Sequence, residues 1–250
     1  MKIQYASDLH LEFARNREWL KENQWKIEGD ILILAGDVLI MNDGFSLPFL
    51  DFFSTNYEQV YMIPGNHEYY KDYDVAPTLS NFSLEVRPNI HYLNNYTTTI
   101  DNTKIIFTTL WSQINGNPDS YEKRVADFNH IFFKDERLTV PGFNQCHEAC
   151  LLFLKSELKN HDGPTIVVTH HLPSPRCSSK WLADHELSEA FMVDLTDLVE
   201  SSGADYWIYG HSHFNVDDFS IGKTKLLTNQ LGYIHRNQQF GFSFSRSIEI

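Results

Sequence analysis

Ile31-Leu32-Ile33-Leu34-Ala35-Gly36-Asp37 decides the fold: an unbroken apolar run stops at a glycine and an aspartate. A run apolar on both faces reads as a strand covered on both sides. The same pattern recurs along the chain. Lys2-Ile3-Gln4-Tyr5-Ala6 leads to Asp8-Leu9-His10, and Val60-Tyr61-Met62-Ile63 leads to Gly65-Asn66-His67-Glu68. Thr165-Ile166-Val167-Val168-Thr169 ends in His170-His171, and Tyr206-Trp207-Ile208-Tyr209 ends in Gly210-His211-Ser212-His213. Helical patterns lie between these runs, clearest at 144–160 and 187–202, the second closing at Gly203 in the position of a C-cap. Strands alternating with helices predict a layered α/β fold. Asp101-Asn102 and Gly222 each divide a pair of short strands and predict hairpins. No repeat or linker stands out, so residues 1–250 read as a single domain, with 112–143 its least regular part.

Five apolar strands that all end in Asp, Asn or His carry a chemical message. In open α/β sheets functional groups gather outside the carboxyl ends of the strands, so these clusters can converge. Asp8 and His10 are two apart, a spacing that puts both side chains on one side of an extended chain, and His211 and His213 repeat it. Gly36, Gly65 and Gly210 clear space where backbone must turn or approach an ion. Imidazole, carboxylate and one amide oxygen, without thiolate, suit Mn, Fe, Zn, Ni or Co. Taken singly each motif has a plain structural explanation: Asp37 as a turn residue, Asn66 as a helix N-cap. Their conjunction at five strand ends favours a metal centre.

Composition narrows the function. The chain has 250 residues, 42% hydrophobic, with a net charge of −13. That acidity disfavours long duplex nucleic acid, which is bound by neutralising its phosphates with Lys and Arg. A nucleotide held by metal ions remains compatible, since the ions supply the positive charge. The opening strand without a charged-then-apolar leader, the lack of a membrane-length apolar run, and three cysteines in no C-x-x-C pair set the expectation of a reducing cytoplasm. Cys146 and Cys150, four apart in a helical pattern, are expected to share a packing face.

In order, Asp8-Leu9-His10, Gly36-Asp37, Gly65-Asn66-His67-Glu68, His170 and Gly210-His211-Ser212-His213 resemble the signature of the calcineurin-like metallophosphoesterase superfamily. The match runs from residue 8 to residue 213. Ser-Asp-Leu-His-Leu-Glu-Phe at 7–13, Val-Thr-His-His-Leu-Pro-Ser-Pro at 168–175 and Thr-Asn-Gln-Leu-Gly-Tyr at 228–233 are similar to a group of small bacterial and phage metallophosphatases. The resemblance implies a four-layer α/β/β/α sandwich, two mixed sheets flanked by helices. It implies two divalent ions, with manganese the natural choice in vitro. Asp8, His10 and His213 would hold one, Asn66, His170 and His211 the other, and Asp37 would bridge them. His67 would stand beside the scissile phosphate as a catalytic residue, Asp8 would orient His67 or neighbouring ligands, and a metal-bridging hydroxide would attack phosphorus. The family ligand usually comes first after its strand, which favours His170 over His171.

The expected reaction is hydrolysis of a phosphate mono- or diester of a small, nucleotide-like molecule; a nuclease or a nucleoside-diphosphate-derivative pyrophosphatase is the enzymatic rival. A protein-binding scaffold is the non-catalytic one, disfavoured by the intact His67 and ligand set. Substrate contacts are expected from His171, Arg176, Trp111 and Arg124, with His235 and Arg236 as weaker candidates. Segment 112–143, carrying Tyr121, Arg124, Phe128, Lys134 and Arg137, is a candidate lid suited to base stacking and phosphate pairing.

Overall fold

The computed structural model describes residues 1–41, 43–159 and 163–250. Two six-stranded mixed sheets form its centre. The first runs, in spatial order, Ser247–Glu249, Lys2–Ala6, Ile31–Ala35, Gln59–Ile63, Ile90–Asn94 and Phe82–Arg87. Its four inner strands are parallel and both edges antiparallel. The second runs Phe219–Ile221, Thr224–Thr228, Tyr206–Tyr209, Thr165–Val168, Thr103–Phe107 and Tyr96–Ile100, again parallel inside and antiparallel at the edges.

Alternation along the strands builds the layers. Ile31, Ile33 and Ala35 of the first sheet share one apolar cluster with Ile105, Phe107, Ile166 and Val168 of the second, so these residues face each other between the sheets. Their neighbours Leu32, Leu34, Val60 and Met62 face outward against Leu20 of helix Ala14–Glu22 and Phe49, Leu50 and Phe53 of helix Pro48–Asn56. On the far side Ile106, Val167, Trp207 and Leu226 pack with Leu154 and Val199. The result is the expected α/β/β/α order. Among the described residues, no helix is long and apolar enough to cross a membrane.

Both predicted hairpins form. Asp101 and Asn102 take φ of 45° and 65°, the left-handed pair that a two-residue turn between twisted strands needs. Cys146 and Cys150 are buried in one cluster, and all three cysteines are free.

The helices depart from expectation. The first spans Val140–Glu157, starting earlier than 144 because Thr139 caps it through Gly142 N (3.4 Å) and Pro141 lies in its first turn; its expected end at Asn160 lies outside the described residues. The expected helix at 187–202 is broken into a turn at Ser188–Ala190 and a short helix at Thr196–Ser201. Leu172 and Val193 exchange backbone bonds with the other segment (Leu172 N to Phe191 O 3.2 Å, Val193 N to Leu172 O 3.0 Å), and that pairing competes with the helical ladder. Segment 112–143 is more regular than its composition suggests. It holds helices Pro118–Arg124 and Asp127–His130 and contributes Ile131–Phe133 and Glu136–Arg137 to a small third sheet with Tyr73–Asp74.

Candidate metal centre

The five polar strand ends meet at one edge of the sandwich. Asp8, His10, Asp37 and His213 form one cluster of converging ligand atoms, and Asp37, His170 and His211 form another. Asp37 belongs to both. Its Oδ2 lies 3.7 Å from His10 Nε2, while its Oδ1 lies 3.4 Å from His170 Nε2. Asn66 joins the second set, its Oδ1 3.3 Å from His170 Nε2. His10 Nε2 and His213 Nε2 approach to 2.9 Å, and His170 Nε2 and His211 Nδ1 to 3.1 Å.

The backbone makes this possible in a way different from that expected. Asp8 and His10 are not in extended chain; their φ values are 56° and 46°. Asp37 (53°), His211 (75°) and His213 (52°) are left-handed as well. Non-glycine residues avoid this region, so five of them around one point mark stored strain at a functional site. A Cβ on Gly65 would come within 2.2 Å of Asp37 Oδ1 and 2.6 Å of His170 Nε2, so only glycine admits both ligands.

Four imidazoles are aimed from behind. His10 Nδ1 donates to Glu12 (2.9 Å), His170 Nδ1 to the Ala35 carbonyl (2.9 Å), and His213 Nδ1 to Gln238 Oε1 (2.8 Å). His211 Nε2 faces the Ala190 carbonyl at 3.4 Å. An acceptor on the outer nitrogen fixes the tautomer that leaves the inner lone pair free for a cation. This donor set, two carboxylates, four imidazoles and one amide oxygen, fits divalent ions of the Mn–Zn series.

Electrostatics divide these groups: burial opposes charge at His170, but Asp37 outweighs it and raises the imidazole to about 9. Burial opposes charge at Asp37, but His170 and His67 outweigh it and hold the carboxyl well below its usual range. Burial and the neighbouring His170 push His211 down to about 3, leaving its imidazole neutral. His67 goes the other way: burial is outweighed by Asp37 and Glu12, which raise it to about 9.

His67 faces the cleft, its backbone N–H bonded to Asp37 Oδ1 (2.9 Å) and its Nδ1 to Glu12 Oε1 (3.0 Å). Asp8 does not orient His67. Its carboxylate is taken by Ser7 Oγ (2.5 Å) and His211 N (3.0 Å) and faces His213 Nε2 (3.3 Å), so it braces neighbouring ligands. Asn66 makes no side-chain cap; its Nδ2 donates to Asp127 (2.8 Å), which turns the amide oxygen toward His170.

Glu12 and Glu68 carry roles that the sequence reading missed. Glu68 accepts from Asp37 N (2.9 Å), Val38 N (2.8 Å), Gly65 N (2.7 Å) and Tyr92 OH (3.0 Å), tying two strand ends together. Glu12 extends the alternation Asp8-Leu9-His10-Leu11-Glu12, a signal already present in the sequence.

The centre opens into a cleft of about 960 Å³. Of the expected substrate residues, Arg124 lines it, paired with Glu186; Arg236 lines it too, whereas His235 does not. Trp111 is fully buried against Tyr69 and Phe143, outside the cleft. His171 is buried behind His211, ring centroids 4.2 Å apart, and its Nδ1 accepts from Ser112 N (3.1 Å). Arg176 lies at the surface, stacked on Phe219 and bonded to the Ser220 carbonyl. Phe128 is core, Tyr121 is buried, Lys134 reaches Gln145, and Arg137 pairs with Asp72. Trp111 and His171 are held by ring packing, each with one buried nitrogen (Trp111 Nε1, His171 Nε2) unpartnered among the described residues, whereas Arg176 is bonded at the surface.

Alanine at Gly65 is expected to abolish metal-induced stabilisation while leaving the fold, since binding raises the melting temperature only where ligands converge. Thermal melts with and without Mn²⁺ check this; an undiminished shift in the variant would contradict the crowding.

The calcineurin-like phosphoesterase model matches residues 1–215. An uncharacterized protein of Acanthamoeba polyphaga mimivirus is 29% identical over 266 residues, covering 95% of this chain and 93% of its own. Among solved structures, the phosphopantetheinyl hydrolase of Mycobacterium tuberculosis superposes with a TM-score of 0.66 at 19% identity, over 99% of this chain and 95% of that one. A dimetal phosphatase from Danio rerio covers 92% of this chain and 87% of its own, with 12% identity and a TM-score of 0.44. With most of its length matched and the signature side chains gathered at one edge, the chain belongs to the calcineurin-like phosphoesterase family and is a metal-dependent phosphohydrolase.

Proposed function

We propose that the chain hydrolyses a phosphate mono- or diester of a small, nucleotide-like molecule at a centre of two divalent ions. Asp8, His10 and His213 would hold one ion and Asn66, His170 and His211 the other, with Asp37 between them. The observation that carries this reading is the orientation of the four imidazoles, each with its outer nitrogen facing an acceptor and its inner one facing its cluster. Bound there, the ions would polarise a phosphoryl oxygen and make water acidic enough to attack near neutral pH.

The protein's own groups do the rest. Asp37, Asn66, His67, His211 and His213 form the polar floor of the cleft, against which the phosphate would sit. Arg236, over the Tyr233 ring at 5.4 Å, can neutralise a non-bridging oxygen. Trp181, Phe214 and Phe240, all exposed along the cleft, offer faces for a base. We read residues 1–250 as a single catalytic domain, with 112–143 as a cap that reaches the cleft through Arg124, Val125, Ala126 and Asp127. Its free thiols suit a reducing compartment such as the cytoplasm.

Chelator-stripped protein is expected to hydrolyse an aryl phosphate diester or monoester only after Mn²⁺ is restored, and the preferred ester identifies the substrate class. Equal turnover with and without metal would end this reading, as would no turnover on either ester or on natural nucleotides.

A further inference from the structure

Behind and in front of His67 lies a hydrogen-bonded line that shares only Glu12 with a ligand candidate, His10. Glu12 Oε1 is 3.0 Å from His67 Nδ1, and His67 Nε2 is 2.9 Å from the Tyr233 hydroxyl. Tyr233 and His67 both line the cleft.

The loop carrying Tyr233 is fixed to the centre from both sides. Gln238 Oε1 accepts from Tyr233 N (2.8 Å) and from His213 Nδ1 (2.8 Å), so one amide oxygen positions both residues. Gly232 N bonds the Asp8 carbonyl (3.1 Å), and the Gly232 carbonyl accepts from Asn16 Nδ2 (2.8 Å). Gly232 has φ of 69°, and a Cβ there would lie 3.0 Å from His213 Cβ and 2.8 Å from Gln238 Cβ. The Tyr233 ring packs against His10 and His213, each with centroids 4.5 Å away. A phenol used only for packing needs no such placement of its hydroxyl on the open nitrogen of His67.

We propose that Tyr233 is a catalytic residue for leaving-group departure, its hydroxyl being the last donor in a Glu12–His67–Tyr233 line; the proposal rests on the phosphoesterase reading above. As the bond between phosphorus and the leaving oxygen breaks, its electron pair stays on that oxygen. The Tyr233 O–H donates its proton there, and the phenol oxygen takes the proton of His67 Nε2. Glu12 keeps the Nδ1 proton of His67 in place throughout. The attacking water supplies the hydroxyl that remains on phosphorus, and its other proton restores His67, so ester and water become alcohol and phosphate with no proton unaccounted for.

Leaving-group dependence isolates this role. A poor leaving group such as an alkoxide needs a proton as it departs, whereas a nitrophenolate needs almost none. Tyr233→Phe removes the oxygen and keeps the ring against His10 and His213. Across a series of aryl and alkyl phosphate esters the variant is expected to lose about 100-fold in kcat on alkyl esters. The loss should shrink steadily as the leaving-group pKa falls, at undiminished metal content. The double variant His67→Ala/Tyr233→Phe should be no slower on alkyl esters than His67→Ala alone, because groups acting in one line are not additive. An equal loss on every ester, or additive losses in the double variant, overturns the proposal while metal-dependent wild-type turnover leaves the phosphoesterase reading intact. Absence of metal-dependent turnover in the wild type overturns both.

Discussion

Asparagine in place of Asp37 is expected to weaken divalent-metal binding at both clusters at once and to reduce kcat/KM by more than about 100-fold. Removing a group that merely orients a ligand weakens metal affinity or activity about 10–100-fold, and Asp37 is itself a ligand candidate, placed in both sets. Its two oxygens address different imidazoles, Oδ2 toward His10 (3.7 Å) and Oδ1 toward His170 (3.4 Å). Asparagine keeps the shape and an acceptor for His67 N, so the loop should hold; what disappears is the negative charge and one of the two oxygens. Metal content per chain after dialysis against limiting Mn²⁺, read beside circular dichroism, separates these effects. A folded variant that loses one ion and holds the other with wild-type affinity would confine Asp37 to one cluster. Full occupancy of both would remove it from metal binding.

The five strand ends were legible because parallel strands buried on both faces leave an unmistakable apolar signature, and each stops at a polar residue that is itself buried. The way the ligands converge was not legible. Spacing suggested an extended Asp8-Leu9-His10, whereas the chain uses left-handed residues there, a conformation that sequence period does not encode for Asp and His. Substrate contacts read worse still. Trp111, directly after a strand, could equally be a stacking face or a core plug, and only the surrounding Tyr69 and Phe143 decide it. Tyr233 was visible as part of Leu-Gly-Tyr, but its partner His67 lies 166 residues away, a pairing made by the fold alone. The break in the helix at 187–202 has the same origin. Leu187, Ala190, Phe191, Leu198 and Val199 fit a helical period, but Leu172 claims the backbone around Phe191, whose ring then stacks on His211 (centroids 5.0 Å).

Alanine in place of His67 is expected to lower kcat on a phosphate ester with a poor leaving group by about 10²–10⁴-fold, the usual range for a positioned proton donor. Metal content should not fall with it. The two ring nitrogens of His67 face Glu12 and Tyr233, and His67 stands outside the two clusters that share Asp37, although it groups with His10 and Glu12. Burial disfavours its charge, yet Asp37 and Glu12 outweigh burial and raise it to about 9, so the imidazole carries a proton near neutral pH and can pass it through the Tyr233 hydroxyl toward a departing oxygen. Its removal leaves Glu12 bonded to His10 (2.9 Å), which preserves the ligand behind it. Metal analysis of the purified variant and turnover on an alkyl ester are therefore read together. Unchanged turnover would take His67 out of the mechanism, and lost metal would make it a structural support. Lost turnover at full metal content is the result that a proton donor standing beside the ions, and not among their ligands, requires.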